Sequence, residues 1–436
     1  MGEKNLGLAA PGTTSSEVAL GGWRMESQQG RFVILPMLAL FIAFAVEHYI
    51  NTVTAGDFTA LWSYGRLMLA QPADVLYHVE RLHDFQVGLG MDPSRFAPFP
   101  YLPTFLLLVW PLGLLPLNQA YYAWTALTFA AFIWAVAGPR PKALVVLVIL
   151  AAPASTMSVI TGQSGFLSGA LLIGGLRLIG TRPWLGGLLL GLLTYKPQFG
   201  LLVPVALLAA GAWRGIGATA CVTLLLVALT TAMFGGSTWL DWFASLSGYS
   251  AWFAAKTELL PLKPTVLANL ALLGVPEAAA DTLQLLVGGT MAALVWFAFR
   301  RGMSLPAIGV LAAVAVLANP HAFWYDLPPL TAAVLFLGTA RLRAGWPLRW
   351  WETLLMALTL CLPAAMAWTD ALGAGLPISL PILLAFAAWA AWQVRLGVVK
   401  PEQPRSLSPY AFPFQISAAH EAAATCNYAS GADIPF

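Results

Sequence analysis

Apolar runs of bilayer-crossing length recur along almost the whole of this 436-residue chain, and no single soluble core could bury them. A helix needs about 20 mostly apolar residues to cross the hydrocarbon of a membrane. Runs near that length lie at 32–50, 118–137, 143–160, 165–180, 184–195, 198–211, 216–234, 281–299, 303–319, 326–340, 350–368 and 377–396. Charged residues make up 9% of the chain, against roughly 25% in an average soluble domain. The pattern predicts an all-α, polytopic membrane protein with about twelve transmembrane helices. Two of the runs, within 184–211, are short enough to form a re-entrant pair instead of two crossings. The stretch Tyr101 to Leu115 is apolar but broken by Pro103 and Pro111, and reads as a helix lying at the interface.

Charge orients the chain. With the N-terminus inside, 16 of the 22 Lys and Arg residues fall in cytoplasmic segments, as the positive-inside rule requires. Residues 1–31 then form a polar cytoplasmic tail without a signal-peptide core, and residues 32–400 the membrane domain. A first outer loop, 51–117, carries interfacial helices, and 235–280 is a second large outer loop. The proline-rich segment 401–436 reads as a poorly ordered cytoplasmic tail. Cys221, Cys361 and Cys426 are far apart and form no disulfide framework or CxxC metal pattern.

In this topology the unusual polar clusters share the outer face. They include Gly56-Asp57-Phe58, Phe99-Pro100-Tyr101-Leu102-Pro103, Gly162-Gln163-Ser164-Gly165, Tyr195-Lys196-Pro197-Gln198, Leu262-Lys263-Pro264 and the stretch from Asn319 to Asp326. The cytoplasmic loops are short basic connectors. Such one-sidedness suits an enzyme serving one compartment. A transporter more often sets its polar groups near the midplane, on broken helices.

In order and spacing, these motifs resemble glycosyltransferase family 87, membrane enzymes of the GT-C superfamily that use a polyprenyl-phosphate sugar donor. The resemblance spans roughly residues 32–345. It is carried by Gly56-Asp57 through Leu76-Tyr77, by Phe99 to Pro103 with Pro111-Leu112, and by Gly162 to Gly165. Arg182-Pro183 with Tyr195 to Gln198, and His321 with Tyr325-Asp326, complete it. It implies transfer outside the cytoplasm, commonly of mannose, with an early acidic residue of the first outer loop as base. Asp57 holds that position.

Transfer from a lipid phosphate needs a base for the acceptor hydroxyl, cations for the departing phosphate and a groove for the lipid. Asp57 is the candidate base, and the simpler reading makes it an N-cap of the helix starting near Phe58. Lys196 and Lys263 are the leading phosphate contacts, with Arg66 a further one; either lysine could instead be a snorkelling interface residue. His321, Tyr325 and Asp326 are candidate binders of acceptor or donor. If the segment is helical, His321 and Tyr325 share a face. Glu47 and His48, near the outer end of the first span, divide between structural pairing and function. Gln163, next to Gly162, could offer its amide to a sugar hydroxyl. Tyr101, with Tyr64, Tyr77, Trp239 and Trp242, reads as an interface anchor or a platform for substrate.

No metal and no cofactor is expected: Asp74, Asp84 and Asp92 show no ligand pattern, and His78 and His83 stand five apart. The expected partners are a polyprenyl-phosphate sugar, a lipid or glycan acceptor and membrane lipids, with no nucleic acid. The expected location is a bacterial-type cytoplasmic membrane with both termini inside. The alternatives are a flippase or other transporter of lipid-linked sugars, and a non-catalytic scaffold that would leave Asp57, Lys196 and His321 far apart.

Overall fold

The computed structural model describes residues 57–94 and 96–399, and all regular structure among them is helical. Among the described residues four helices are long and apolar enough to cross a membrane: Leu117–Ala137, Trp213–Phe234, Glu277–Phe299 and Trp350–Ala371. A fifth is added if Ala143–Ala151 and Pro153–Thr161, bent by 61° at their junction, count as one span. The runs suggested about twelve such helices, each close to the roughly 20 residues that a crossing takes. The difference has a local cause. Several runs are cut by prolines into helices of 10–17 residues, among them Pro183–Tyr195, Pro197–Ala209 and Leu305–Ala318. Proline is at home in the first turn of a helix and breaks its interior. The 32–50 run and both tails lie outside the described residues.

One of these pieces is embedded in protein. Leu305–Ala318 is buried from Ala307 to its end and packs against Glu277–Phe299, Pro328–Arg343 and Ser379–Arg395. A helix apolar on every side belongs in an interior. At 1.5 Å per residue its 14 residues reach only about 21 Å, so the Asn319–Asp326 segment that follows also begins inside the molecule. By contrast, Leu224, Leu225, Leu285 and Leu286 on two of the long helices are mostly exposed, as side chains facing lipid would be.

On the other side of the sequence, Phe58–Ala70 lies on the turns that follow the Phe99–Pro103 segment. Gly65 and Gly113 make the close approach possible. A Cβ on Gly65 would stand 2.5 Å from the Val109 carbonyl oxygen and 2.6 Å from the Gly113 nitrogen.

The last helices are locked by a buried ion pair. Arg341 Nε meets Glu352 Oε1 at 3.0 Å. The same oxygen accepts a hydrogen bond from Trp389 Nε1 at 2.8 Å, and Arg341 Nη1 donates to Gln393 Oε1 at 3.3 Å. Glu352 Oε2 accepts from the Arg349 amide. The pair joins Pro328–Arg343, Trp350–Ala371 and Ser379–Arg395, the last two of which lie beyond the sequence resemblance.

Candidate active site

Five segments distant in sequence converge, and each is positioned by a local rule. Lys196 stands at the break between Pro183–Tyr195 and Pro197–Ala209, with φ −124° and ψ 74°. The cause is Pro197, because the residue before a proline is pushed out of the helical region. A broken helix is tolerated at membrane depth where it is buried in protein, and Lys196 is only 5% exposed. Its ammonium donates to Asp326 Oδ1 at 2.8 Å, and Asp326 is 2% exposed. The other oxygen of Asp326 accepts from the Phe323 amide at 3.2 Å and closes the turn Trp324–Asp326.

Aromatic rings surround this pair. Lys196 Nζ lies 5.4 Å from the centre of Tyr325, 5.7 Å from Phe199 and 6.0 Å from Tyr101. Tyr325 is parallel to Phe323, their centres 5.5 Å apart and their planes 6° from parallel. On the far side Lys263 Nζ is 5.5 Å from the Phe323 centre. Two cations therefore bracket two stacked rings. Such contacts contribute about 0.5–1 kcal/mol each where exposed and about 2 where desolvated.

The Phe99–Pro103 segment supplies the opposite wall. Phe99 is fully buried and meets Tyr64, Tyr77 and Tyr101 edge-on. Phe105 stacks on Tyr195 at 4.5 Å. Tyr64 Oη donates to the Pro98 carbonyl at 2.6 Å and Tyr77 Oη to the Tyr101 carbonyl at 3.0 Å. Tyr64 and Tyr77 are thus buried braces of this wall, not interface anchors. Tyr195 Oη is 2.7 Å from Ser168 Oγ.

The Gly162–Gly165 turn ties the walls together. Gly162 ends the helix Pro153–Thr161 in the left-handed region, φ +63°, where glycine carries no Cβ penalty. A side chain there would come 2.5 Å from Phe58 Cβ, next to Asp57. One on Gly165 would fall on the Tyr325 carbonyl oxygen; Ser158 Oγ donates to that oxygen at 3.1 Å. Between the two glycines, Gln163 is 9% exposed and its Oε1 is buried without a hydrogen-bond partner among the described residues.

Asp57 takes the N-cap position of Phe58–Ala70, yet its side chain makes no capping hydrogen bond. Its charge is felt in the aromatic cage. Desolvation raises the Tyr101 phenol far above its ordinary range, and the charges of Tyr195, Asp326 and Asp57 add to that. Tyr325 is raised likewise by desolvation first, then by Asp326, Tyr101 and Asp57. One neighbourhood therefore holds Asp57, Tyr101, Lys196, Tyr325 and Asp326.

Lys263 and His321 form its rim. Partial burial lowers the Lys263 pKa. His321 has one side in solvent, but desolvation by the packed protein behind it, followed by the Lys263 charge, holds it below its usual 6.5. His321 and Tyr325 do not share a helical face. Pro320 ends the helix, Asn319 Oδ1 accepts the His321 amide at 2.8 Å, and residues 319–323 are non-helical. Arg66 is directed elsewhere: it is exposed, donates to the Gly113 carbonyl at 3.2 Å and lies over Trp62. Glu47 and His48 lie outside the described residues.

The lowered His321 value has a consequence. As pH falls below about 6.5, the unfolded chain takes up this proton before the folded one does. Stability is therefore lost on acidification, from about pH 6.5 down through the folded value. The thermal unfolding midpoint should fall more steeply over that range in wild type than in His321→Gln; equal slopes would show that His321 is not held below its usual value.

Sequence reasoning found the lysines, Asp326 and the glycine turn, but missed Phe323, Ser158 and the Tyr195–Phe105 stack. Ser158 and the Tyr195–Phe105 stack have partners remote in sequence, and Phe323, although it stacks on nearby Tyr325, meets Lys263 only in the folded chain. Among known protein families, the model of glycosyltransferase family 87 matches residues 99–320. No curated protein and no solved structure matches the chain. The matched span includes the aromatic wall, the glycine turn and both lysines; Asp57 and the His321–Asp326 segment flank it.

Proposed function

The chain belongs to glycosyltransferase family 87 and is a glycosyltransferase, and we propose that it moves a hexose, mannose first among them, from a polyprenyl phosphate to a lipid or glycan acceptor. The observation that carries this reading is the aromatic cage holding Lys196 and flanked by Lys263, with the Asp57 charge acting on its tyrosines. Cations suit a phosphate, aromatic faces suit a sugar ring and prenyl chain, and a carboxylate suits a hydroxyl proton.

In the proposed reaction the acceptor oxygen attacks the anomeric carbon and its proton passes to the Asp57 carboxylate. The bond from the anomeric carbon to the phosphate oxygen breaks, its electron pair leaving with the phosphate, and the configuration inverts. Lys196 is already paired with Asp326 at 2.8 Å, so a phosphate would compete with that carboxylate for it. Lys263 has no carboxylate within ion-pair distance among the described residues. We therefore assign Lys263 the larger part of phosphate binding, and the Lys196–Asp326 pair the shaping of the pocket and the support of Tyr325. Gln163 and Tyr101 face the sugar, and His321 the acceptor or the phosphate.

The proposal includes the membrane setting. The site opens on the outer side of a bacterial-type cytoplasmic membrane and both termini lie inside. The shorter apolar helices complete about twelve crossings by packing against the long ones. The test is release of polyprenyl phosphate, with sugar transfer to membrane extract, by the purified protein given polyprenyl-phosphate mannose and a panel of other lipid-linked hexoses. Turnover with at least one donor is expected. Movement of an intact lipid-linked sugar across proteoliposomes, with no cleavage of any donor, would leave the transporter reading in its place.

A further inference from the structure

The turn Ala73–Tyr77 packs against the helix Ser237–Ala255. At this junction Asp74, His78 and Asp241 each bring one ligand atom to within 4.8 Å of the others. The three come from two elements separated by more than 150 residues of chain. No hydrogen bond or ion pair joins any of these side chains to another described residue. His78 is the one member of the three that can itself carry positive charge, and a divalent cation would engage all three ligand atoms at once.

From this geometry we infer that Asp74, His78 and Asp241 form a divalent transition-metal site that staples the first loop to the Ser237–Ala255 helix. Ligand atoms about 2.0–2.2 Å from a zinc ion stand about 3.4 Å from one another, so the observed cluster closes on an ion with small side-chain rotations. An imidazole with two carboxylates suits Zn²⁺ or Mn²⁺; an all-oxygen set would suit Mg²⁺ or Ca²⁺. Asp74 and Asp241 are half-buried while His78 is exposed, which leaves a route for the ion from solvent.

The position gives the site its effect. Tyr77, beside His78, forms part of the aromatic wall through Phe99 and the Tyr101 carbonyl. Tyr249, on the same helix as Asp241, donates to the Leu76 carbonyl at a long 3.3 Å. A metal spanning this junction holds the wall in register without touching the reacting atoms. The sequence hid it because Asp74 and His78 are incomplete without Asp241, and only folding brings that residue close.

The test uses the full chain, purified in detergent, stripped with chelator and desalted. Samples are then given ZnCl₂, MnCl₂ or MgCl₂. Bound metal is counted by elemental analysis, and unfolding is followed by tryptophan fluorescence. The expected result is about one Zn²⁺ or Mn²⁺ per chain and an unfolding midpoint raised by roughly 3–6 °C. His78→Ala, chosen because that side chain is exposed, and the near-isosteric Asp241→Asn should each weaken binding about 10–100-fold or more. Each should also erase the thermal shift. Retention of well under one metal per chain, a response to Mg²⁺ alone, or undiminished binding by the double variant would overturn the assignment. Neither readout involves a sugar donor, so the outcome is separate from that of the transfer assay.

Discussion

Asp57→Asn should slow release of polyprenyl phosphate by about 10²–10⁴-fold, the range a positioned base contributes, while leaving the thermal midpoint nearly where it was. The two readouts separate the two roles open to this residue. Asparagine caps helices about as well as aspartate, so a cap survives the substitution and a base does not. The Asp57 side chain makes no capping hydrogen bond to Phe58–Ala70, which already weighs against capping as its purpose. Single-turnover measurements with saturating donor place the loss in the chemical step if it appears there undiminished. Equal turnover by wild type and variant would remove Asp57 from the reaction and direct attention to the other carboxylate of the cage, Asp326.

Lys196 carries the second large effect, on stability as well as turnover. Removing one member of a buried ion pair strands the other, at a cost of about 3–5 kcal/mol. Lys196→Ala should therefore unfold far more readily in denaturant titrations, because Asp326 is only 2% exposed and would be left with a single backbone donor. The double variant Lys196→Met with Asp326→Asn keeps an oxygen for the Phe323 amide and has no buried charge. It should recover most of the lost stability, since apolar replacement of buried pairs is often neutral or better. If the pair shapes the phosphate site, activity stays low in the stable double variant. Activity that returns along with stability would make the pair purely structural, leaving Lys263 to carry the phosphate.

The arrangement also separates the two lysines in a way their sequence contexts do not. Lys196-Pro197 and Lys263-Pro264 look equivalent on paper, each a cation beside a proline at the end of an apolar run. In the folded chain Lys196 is enclosed and paired, whereas Lys263 is half-buried at the rim with rings of Phe253 and Phe323 beneath it. Burial and the position of Asp326 make the difference, and neither is encoded within a few residues of either lysine.

Some of the molecule followed directly from local chemistry. Apolar runs dictated helices because their backbone must bond to itself where water is scarce, and all regular structure among the described residues is helical. Proline and glycine acted where they stood. Pro197 broke the helix at Lys196, Pro320 stopped another before His321, and Gly162 and Gly165 allowed contacts that any side chain would block. The family was legible for the same reason, since motif order survives as a pattern along the chain.

Tertiary structure decided what length and spacing could not. Whether a run of 14 residues faces lipid or is enclosed by other helices depends on what surrounds it, and Leu305–Ala318 is wrapped by protein. The partner of Lys196 lies 130 residues away, and that of Asp74 and His78 farther still. Arg66, plausible as a phosphate ligand by charge alone, faces Gly113 because the contact between Gly65 and Gly113 sets how its helix lies. Periodicity and turn chemistry act over a few residues, so the sequence by itself determined the helices and their breaks. Which charges meet, and which are covered, depends on long-range packing, and that was decided only when the helices assembled.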